Sequence, residues 1–207
     1  MRILELSSGT GSLAKAARAR GHEVVTLDIC PKHTPTICTD LLEWDPSVYP
    51  HDYFHYVHAS CPCENYPRAR TTGGPRLLVF ADSLVKRTLE TFEYFKTAIW
   101  TIENPAGSLL WQRPVAQALE HVAKTSYCRY GYPHRKHTWF ANNFKLELRP
   151  QCDGSCGQMI GRKHMEHAQR GGGGCTSKSH TLDRLHSIPP DLCSDILTQV
   201  EAALDRR

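Results

Sequence analysis

Apolar positions fall into short runs, and each run breaks at a glycine, a carboxylate or a proline. Residues 2–6 form a compact apolar strand that passes straight into Ser7-Ser8-Gly9-Thr10-Gly11-Ser12. Residues 13–20 follow as an alanine-rich helix, and Gly21 stops it. A second strand is predicted from Glu23 and closes at Asp28. Ile37 and Cys38, just before Asp40, mark a third, and 54–59 a fourth. Over 81–96 the apolar positions return at helical spacing, with Leu84, Val85, Thr88, Leu89, Phe92 and Phe95 on one side. A strand over 98–102 then ends at Glu103-Asn104-Pro105. The pattern further predicts a helix over 115–122 and strands over 125–130 and 138–141. Pro189 and Pro190 open a last helix with Leu192, Ile196, Leu197, Val200 and Leu204 on its apolar face.

Strands alternating with helices imply an α/β fold: an open, mostly parallel sheet with helices on both faces. Ligands of such sheets bind beyond the carboxyl ends of the strands. The Gly-rich turn, Asp28, Asp40, Cys63 and Glu103 all fall at such ends. The pattern divides the chain into a catalytic region over 1–143, an irregular Cys-, His- and Gly-rich insertion over 144–182, and a C-terminal helix over 183–207 that packs back.

Composition narrows the class. The chain has 207 residues, 40% hydrophobic and 22% charged, enough for one well-packed domain. No apolar run is long enough to span a bilayer, and the first residues lack the basic, apolar and small pattern of a secretion leader. An intracellular protein is expected, nuclear if its source is eukaryotic. A net charge of +4 leans weakly toward a polyanionic partner. The nine cysteines are odd in number, so reactive or metal-binding thiols are expected rather than a disulfide framework.

Gly9 and Gly11 let backbone approach a ligand at a helix start. Asp28 suits a ribose diol, because a carboxylate accepts from both hydroxyls, and Asp40 suits the exocyclic amine of an adenine. The competing reading is a tight strand–helix turn flanked by solvated acids. At the chemical end, Ser60-Cys61-Pro62-Cys63-Glu64-Asn65 follows the fourth strand and Glu103-Asn104-Pro105 the fifth. Neighbouring strand ends would set a thiol and a carboxyl across one cleft. A thiolate that adds to carbon 6 of a pyrimidine, with an acid on ring nitrogen 3, makes carbon 5 able to attack a sulfonium methyl. Against this stands the ordinary buried cysteine in a proline turn.

With those residues in view, the sequence resembles the DNA (cytosine-5) methyltransferases. Leu4 to Gly11 resembles their first motif, Ala59-Ser60-Cys61-Pro62-Cys63 their Pro-Cys nucleophile motif, and Ile102-Glu103-Asn104-Pro105 their Glu-Asn motif. His134 to Phe140 stands where a basic motif feeds a strand, and Ser187 to Leu192 resembles the last motif, which folds back over the cofactor. The order matches over nearly the whole chain, and a compact virus- or phage-type branch is the nearest likeness. The resemblance implies a Rossmann-like fold and S-adenosylmethionine as cofactor. Cys63 would be the nucleophile, Glu103 the group on ring nitrogen 3, Asn104 a brace for the nucleophile loop, and Arg135 a catalytic-site contact. It places the cofactor among Ser7, Ser8, Gly9, Thr10, Gly11, Ser12, Asp28, Ile29, Asp40 and Leu41. The chain departs from the motifs in four places, the first being that His134, Arg135, Lys136 and His137 do not map cleanly onto the Gln-x-Arg-x-Arg of the basic motif. Ser7 replaces an aromatic, Glu64 follows the nucleophile where glutamine is usual, and the residues between basic and final motifs number only about forty.

A cytosine must be flipped from duplex DNA or presented single-stranded to be reached. Arg68, Arg70 and Arg76 in the loop after Cys63, with Lys136, are the expected DNA contacts. Over 144–182, Cys152-x-x-x-Cys156 precedes His164, His167, Cys175 and His180. A structural Zn²⁺ would staple this segment, with Cys152 and Cys156 as first ligands. The other reading is a basic segment that touches DNA through Arg162, Lys163, Arg170 and Lys178. Three rival functions stay open. Exocyclic-amine DNA methylation expects an aromatic where Cys63 stands. RNA cytosine-5 methylation could divide its work between Cys61 and Cys63. A non-catalytic DNA-binding relative would have no physical reason to keep both Cys63 and Glu103.

Overall fold

The computed structural model describes residues 1–67, 74–96, 98–117, 119–168 and 181–207. Seven strands form one sheet: β1 (Arg2–Leu6), β2 (Glu23–Asp28), β3 (Ile37–Cys38), β4 (Tyr56–Ser60), β5 (Ile99–Pro105), β6 (His121–Ser126) and β7 (His137–Asn142). Their order is β3-β2-β1-β4-β5-β7-β6. The first five run parallel, and β7 is antiparallel to both β5 and β6. Strand order reverses beside β1, where one half of the chain runs toward β3 and the other toward β6. That reversal opens a crevice at the carboxyl ends.

Strand alternation sorts the core into two layers. Leu4 and Leu6 of β1 face the layer of α2 (Leu78–Tyr94), with Val57, Ile102, Ala81, Val85 and Phe92. Ile3 faces the opposite layer, made by α1 (Ser12–Ala19) and the C-terminal α4 (Pro190–Leu204). Leu192, Ile196, Leu197 and Val200 of α4 are all fully buried there. At roughly 1.5–3 kcal/mol for each such side chain, this burial outweighs the polar ties that orient the helix. Arg20 donates to Ser194 O, Ser194 Oγ, Thr198 Oγ1 and Glu201 Oε2, and His22 lies 2.7 Å from Glu201. The expected apolar face of the last helix is therefore the observed one, although Leu204 is only partly covered.

Two sequence-based expectations fail. The helix predicted over 115–122 is instead a short 3₁₀ turn, Pro114–Ala116, followed by β6. The apolar spacing of Val115 and Leu119 fits a helix locally, but Val122 pairs with Ala141 in the hairpin, and that ladder wins. The strand predicted over 125–130 is shifted. It ends at Ser126, and Tyr127–Tyr130 is a 3₁₀ turn closed by Gly131 at φ 86°. Helix α2 also begins three residues before its predicted start. The insertion contains a two-residue hairpin, β8 (Met159–Ile160) with β9 (Lys163–His164), and α3 (Leu182–His186) leads into α4. Among the described residues, no helix is long and apolar enough to cross a membrane.

Candidate active site

The crevice at the strand ends is a cleft of about 430 Å³. Its floor on one side is the turn after β1. Ser7 (φ 50°), Gly9 (φ 48°) and Gly11 (φ 63°) all adopt the left-handed conformation there. Glycine takes that conformation freely, whereas at Ser7 it costs on the order of 1 kcal/mol or more. Asp28, at the end of β2, holds the turn closed. Its Oδ2 accepts from Gly9 N at 2.7 Å and its Oδ1 from Cys30 N at 2.8 Å. Ser12 Oγ accepts from Ile188 N at 3.0 Å, which fastens the segment before α4 against the same turn. Lys32 and Asp183, 2.7 Å apart, close the rim.

Helix α1 has no side-chain N-cap. The carboxylate of Glu5, reaching across from β1, takes that role by accepting from Ala14 N at 2.9 Å. Glu5 is 1% exposed yet lines the cleft. Burial pushes its carboxyl up to about 7, against the lowering effect of the helix N–H groups and of Arg18 and Lys15. Sequence reasoning missed it, although an acidic residue in the middle of an apolar strand was the visible sign.

Across the cleft, Cys63 and Glu103 come together with Pro62, Ser60 and Lys136. Of the two cysteines in the loop, Cys61 is buried with its Sγ 3.6 Å from Thr88 Oγ1, and burial pushes its thiol up to about 11. Cys63 is half-buried and faces the cleft. Burial, and then the charge of Glu103, push its thiol upward, while Lys136 opposes them. Glu103 sits opposite Ser60 in the β4–β5 ladder. Tyr127 Oη donates to its Oε1 at 3.1 Å, Thr138 Oγ1 donates to the same oxygen, and Lys136 Nζ stands 4.0 Å from it. None of these contacts uses Oε2. Asn104, fully buried, donates through Nδ2 to Cys61 O at 2.9 Å and so ties the Cys61–Cys63 loop to β5. Behind Ser60, the buried His58 bonds Thr101 Oγ1 at 2.7 Å. Burial pushes it down to about 3, so it is a neutral core group.

Of the residues expected to hold the cofactor, Ser7, Ser8, Gly9, Thr10, Ser12 and Asp28 line the cleft. Gly11, Ile29, Asp40 and Leu41 do not. Ile29 is exposed at the surface and Leu41 is packed in the core. Asp40 caps its own turn by accepting from Leu42 N. The basic pair is exchanged relative to expectation. Lys136 enters the cleft beside Glu103, whereas Arg135 is exposed and lines a second hollow, of about 560 Å³, with Arg162, Lys163 and His167. Adjacent residues entering a strand point to opposite sides, so only one of the two could reach the cleft. Arg76 bonds Pro67 O at the surface. Arg68 and Arg70 lie outside the described residues, as do Arg170, Cys175, Lys178 and His180.

Cys152 and Cys156, the expected metal ligands, lie together with His164. Cys128, which the sequence did not single out, joins them, and all four ligand atoms are within 4.8 Å of one another.

No family model matches the chain. It is 28% identical over 219 residues to a Frog virus 3 (isolate Goorha) protein named as a probable DNA (cytosine-5)-methyltransferase, covering 95% of this chain and 99% of that one. Among solved structures, a methyltransferase of Entamoeba histolytica aligns over 99% of this chain and 98% of its own, with a TM-score of 0.63 at 11% identity. The Dnmt2 methyltransferase of S. pombe aligns over 74% of this chain with a TM-score of 0.52 at 15% identity. This chain spans 54% of its length. These likenesses, with the mostly parallel sheet and a helical layer on each face, give the chain a Rossmann-like methyltransferase fold.

Proposed function

We propose that this protein is an S-adenosylmethionine-dependent DNA (cytosine-5)-methyltransferase with Cys63 as its nucleophile. The carrying observation is that Cys63 and the buried carboxyl of Glu103 line the same cleft as the Ser7–Thr10 turn. The name of the Frog virus 3 relative supports the same reaction.

The cleft fits the cofactor on its own terms. Glu5 is a carboxyl buried against the cleft without enough neighbouring positive charge to offset its desolvation, and a cationic ligand would relieve it. Ser7, Ser8, Gly9 and Thr10 would hold the methionine portion. Asp28 would face the ribose, since each of its oxygens keeps a lone pair after its backbone bond. When bound, S-adenosylmethionine supplies an electrophilic sulfonium methyl.

The chain's residues account for the remainder. Glu103 Oε2 engages the pyrimidine edge at nitrogen 3, held in place through Oε1 by Tyr127 and Thr138. The Cys63 thiol gives up its proton to water in the cleft, and its sulfur bonds carbon 6 of the ring. The electron pair displaced from the 5,6 double bond is then available at carbon 5 to take the methyl. A base removes the carbon-5 proton, the double bond re-forms and the sulfur leaves. Lys136 favours the thiolate through its charge, and Asn104 keeps the Cys61–Cys63 loop seated on β5. Residues 1–143 serve as the catalytic region. The hollow with Arg135, Arg162 and Lys163 suits phosphates of a DNA strand beside the flipped base, in place of a larger recognition domain.

The test is covalent trapping on DNA that contains 5-fluorocytosine, with labelled cofactor and Cys63→Ala alongside. Fluorine cannot leave as a proton does, so a labelled protein–DNA band is expected for the wild type alone. Cofactor binding without any adduct on DNA refutes the DNA reading. An adduct on RNA under the same conditions redirects it to RNA.

A further inference from the structure

Cys128, Cys152, Cys156 and His164 come from three separate places in the fold. Cys128 lies in the turn after β6, Cys152 and Cys156 in the part of the insertion before β8, and His164 in β9. Their ligand atoms converge to within 4.8 Å of one another. His164 Nε2 lies 3.5 Å from Cys152 Sγ and 3.4 Å from Cys156 Sγ. A tetrahedral Zn²⁺ with bonds of about 2.3 Å to sulfur and about 2.1 Å to nitrogen sets sulfur and nitrogen about 3.6 Å apart. The observed separations match that spacing.

We infer that these four residues form a structural Zn²⁺ site of three thiolates and one imidazole. Several further features support it. The ligands are soft sulfur and nitrogen donors with no carboxylate among them, a set that favours zinc over calcium or magnesium. Four protein ligands close the coordination sphere, as structural sites require. Gly154 N donates to Cys152 Sγ at 3.3 Å, the kind of backbone bond that stabilises a sulfur carrying negative charge. Gly154 and Gly157, at φ 106° and 75°, let the loop turn both cysteines inward. The segment also needs such a staple. Between residues 144 and 168 only Leu146, Cys152 and Glu166 are buried, and the β8–β9 hairpin has two residues in each strand.

The metal would fasten the insertion to the 127–130 turn. Tyr127, at the start of that turn, donates to Glu103, and a bridge between His134 and Glu166 runs beside it. The hollow lined by Arg135, Arg162 and Lys163 would be held in shape by the same ion.

The experiment is metal analysis of the purified full chain after exhaustive dialysis, followed by replacement of the metal with Co²⁺. About one zinc per chain is expected. The cobalt form should show intense tetrahedral absorption in the red and a near-ultraviolet charge-transfer band of three-thiolate strength. Cys128→Ser should lower that charge-transfer band by about a third and weaken metal retention. His164→Cys should keep the metal with a stronger band, and Cys38→Ser, on the exposed β3, should change nothing. Wild-type protein with neither stoichiometric zinc nor a tetrahedral cobalt spectrum overturns the proposal. A two-thiolate spectrum unaltered by Cys128→Ser overturns the ligand set. Should Cys128→Ser fail to fold, the wild-type metal content and cobalt spectrum decide the question. Neither depends on methyl transfer.

Discussion

Replacing Glu5 by glutamine removes a carboxyl that is 1% exposed and pushed up to about 7 by burial. In the unfolded chain the same group titrates near its ordinary value of 4.5. The folded state therefore holds the proton more tightly, and stability falls as pH rises between those two values. A rise from 4.5 to about 7, at about 1.4 kcal/mol per pH unit, leaves the wild type about 3 kcal/mol less stable above pH 7 than below pH 4.5 on this group's account. Glutamine carries no such charge, and its side-chain oxygen still accepts from Ala14 N. Urea unfolding of both proteins without cofactor, from about pH 4.5 to about pH 8, is the assay. The difference between them should move in favour of Glu5→Gln as pH rises and level off above about pH 7. A difference that stays flat, or that moves toward the wild type, would refute an isolated buried carboxyl at this position. Cofactor affinity should change in the opposite sense, with Glu5→Gln binding S-adenosylmethionine more weakly at neutral pH.

Asn104→Ala removes the bond to Cys61 O and leaves that buried carbonyl unpaired, a loss of about 1–3 kcal/mol by chemical denaturation. The same variant should lose kcat more than affinity for the cofactor, because the loop carrying the proposed nucleophile Cys63 is released while the glycine turn is untouched. Lys136→Met removes the positive charge that lowers the Cys63 thiol, so the acidic limb of the kcat/KM profile should shift to higher pH. An unmoved limb would show that Lys136 does not act on Cys63.

The apolar runs of β1, β4 and β5 were legible because strands buried on both faces are mostly apolar, as Ile3 with Leu4, Tyr56 with Val57 and Ile99 with Ile102 show by facing opposite layers. The carboxyl-end positions of Ser7 to Gly9, Asp28, Cys63 and Glu103 followed from those strands, since each lies within a few residues of a strand end. The segment after Pro114 was not legible. Its local spacing suits a helix, and only the ladder with β7 makes residues 121–126 a strand.

By itself, then, the sequence determined the parallel α/β sheet, the glycine turn and the pairing of Cys63 with Glu103, all of which depend on local periodicity and on neighbouring strand ends. Tertiary structure decided what depends on contacts between distant segments. It brought Lys136 rather than Arg135 to Glu103, and it set Asp40 and Leu41 apart from the cleft. It carried Cys128 across to Cys152, Cys156 and His164. No spacing along the chain encodes those distances. The approach of Lys136 to Glu103, for one, arises when β7 folds back antiparallel on β5.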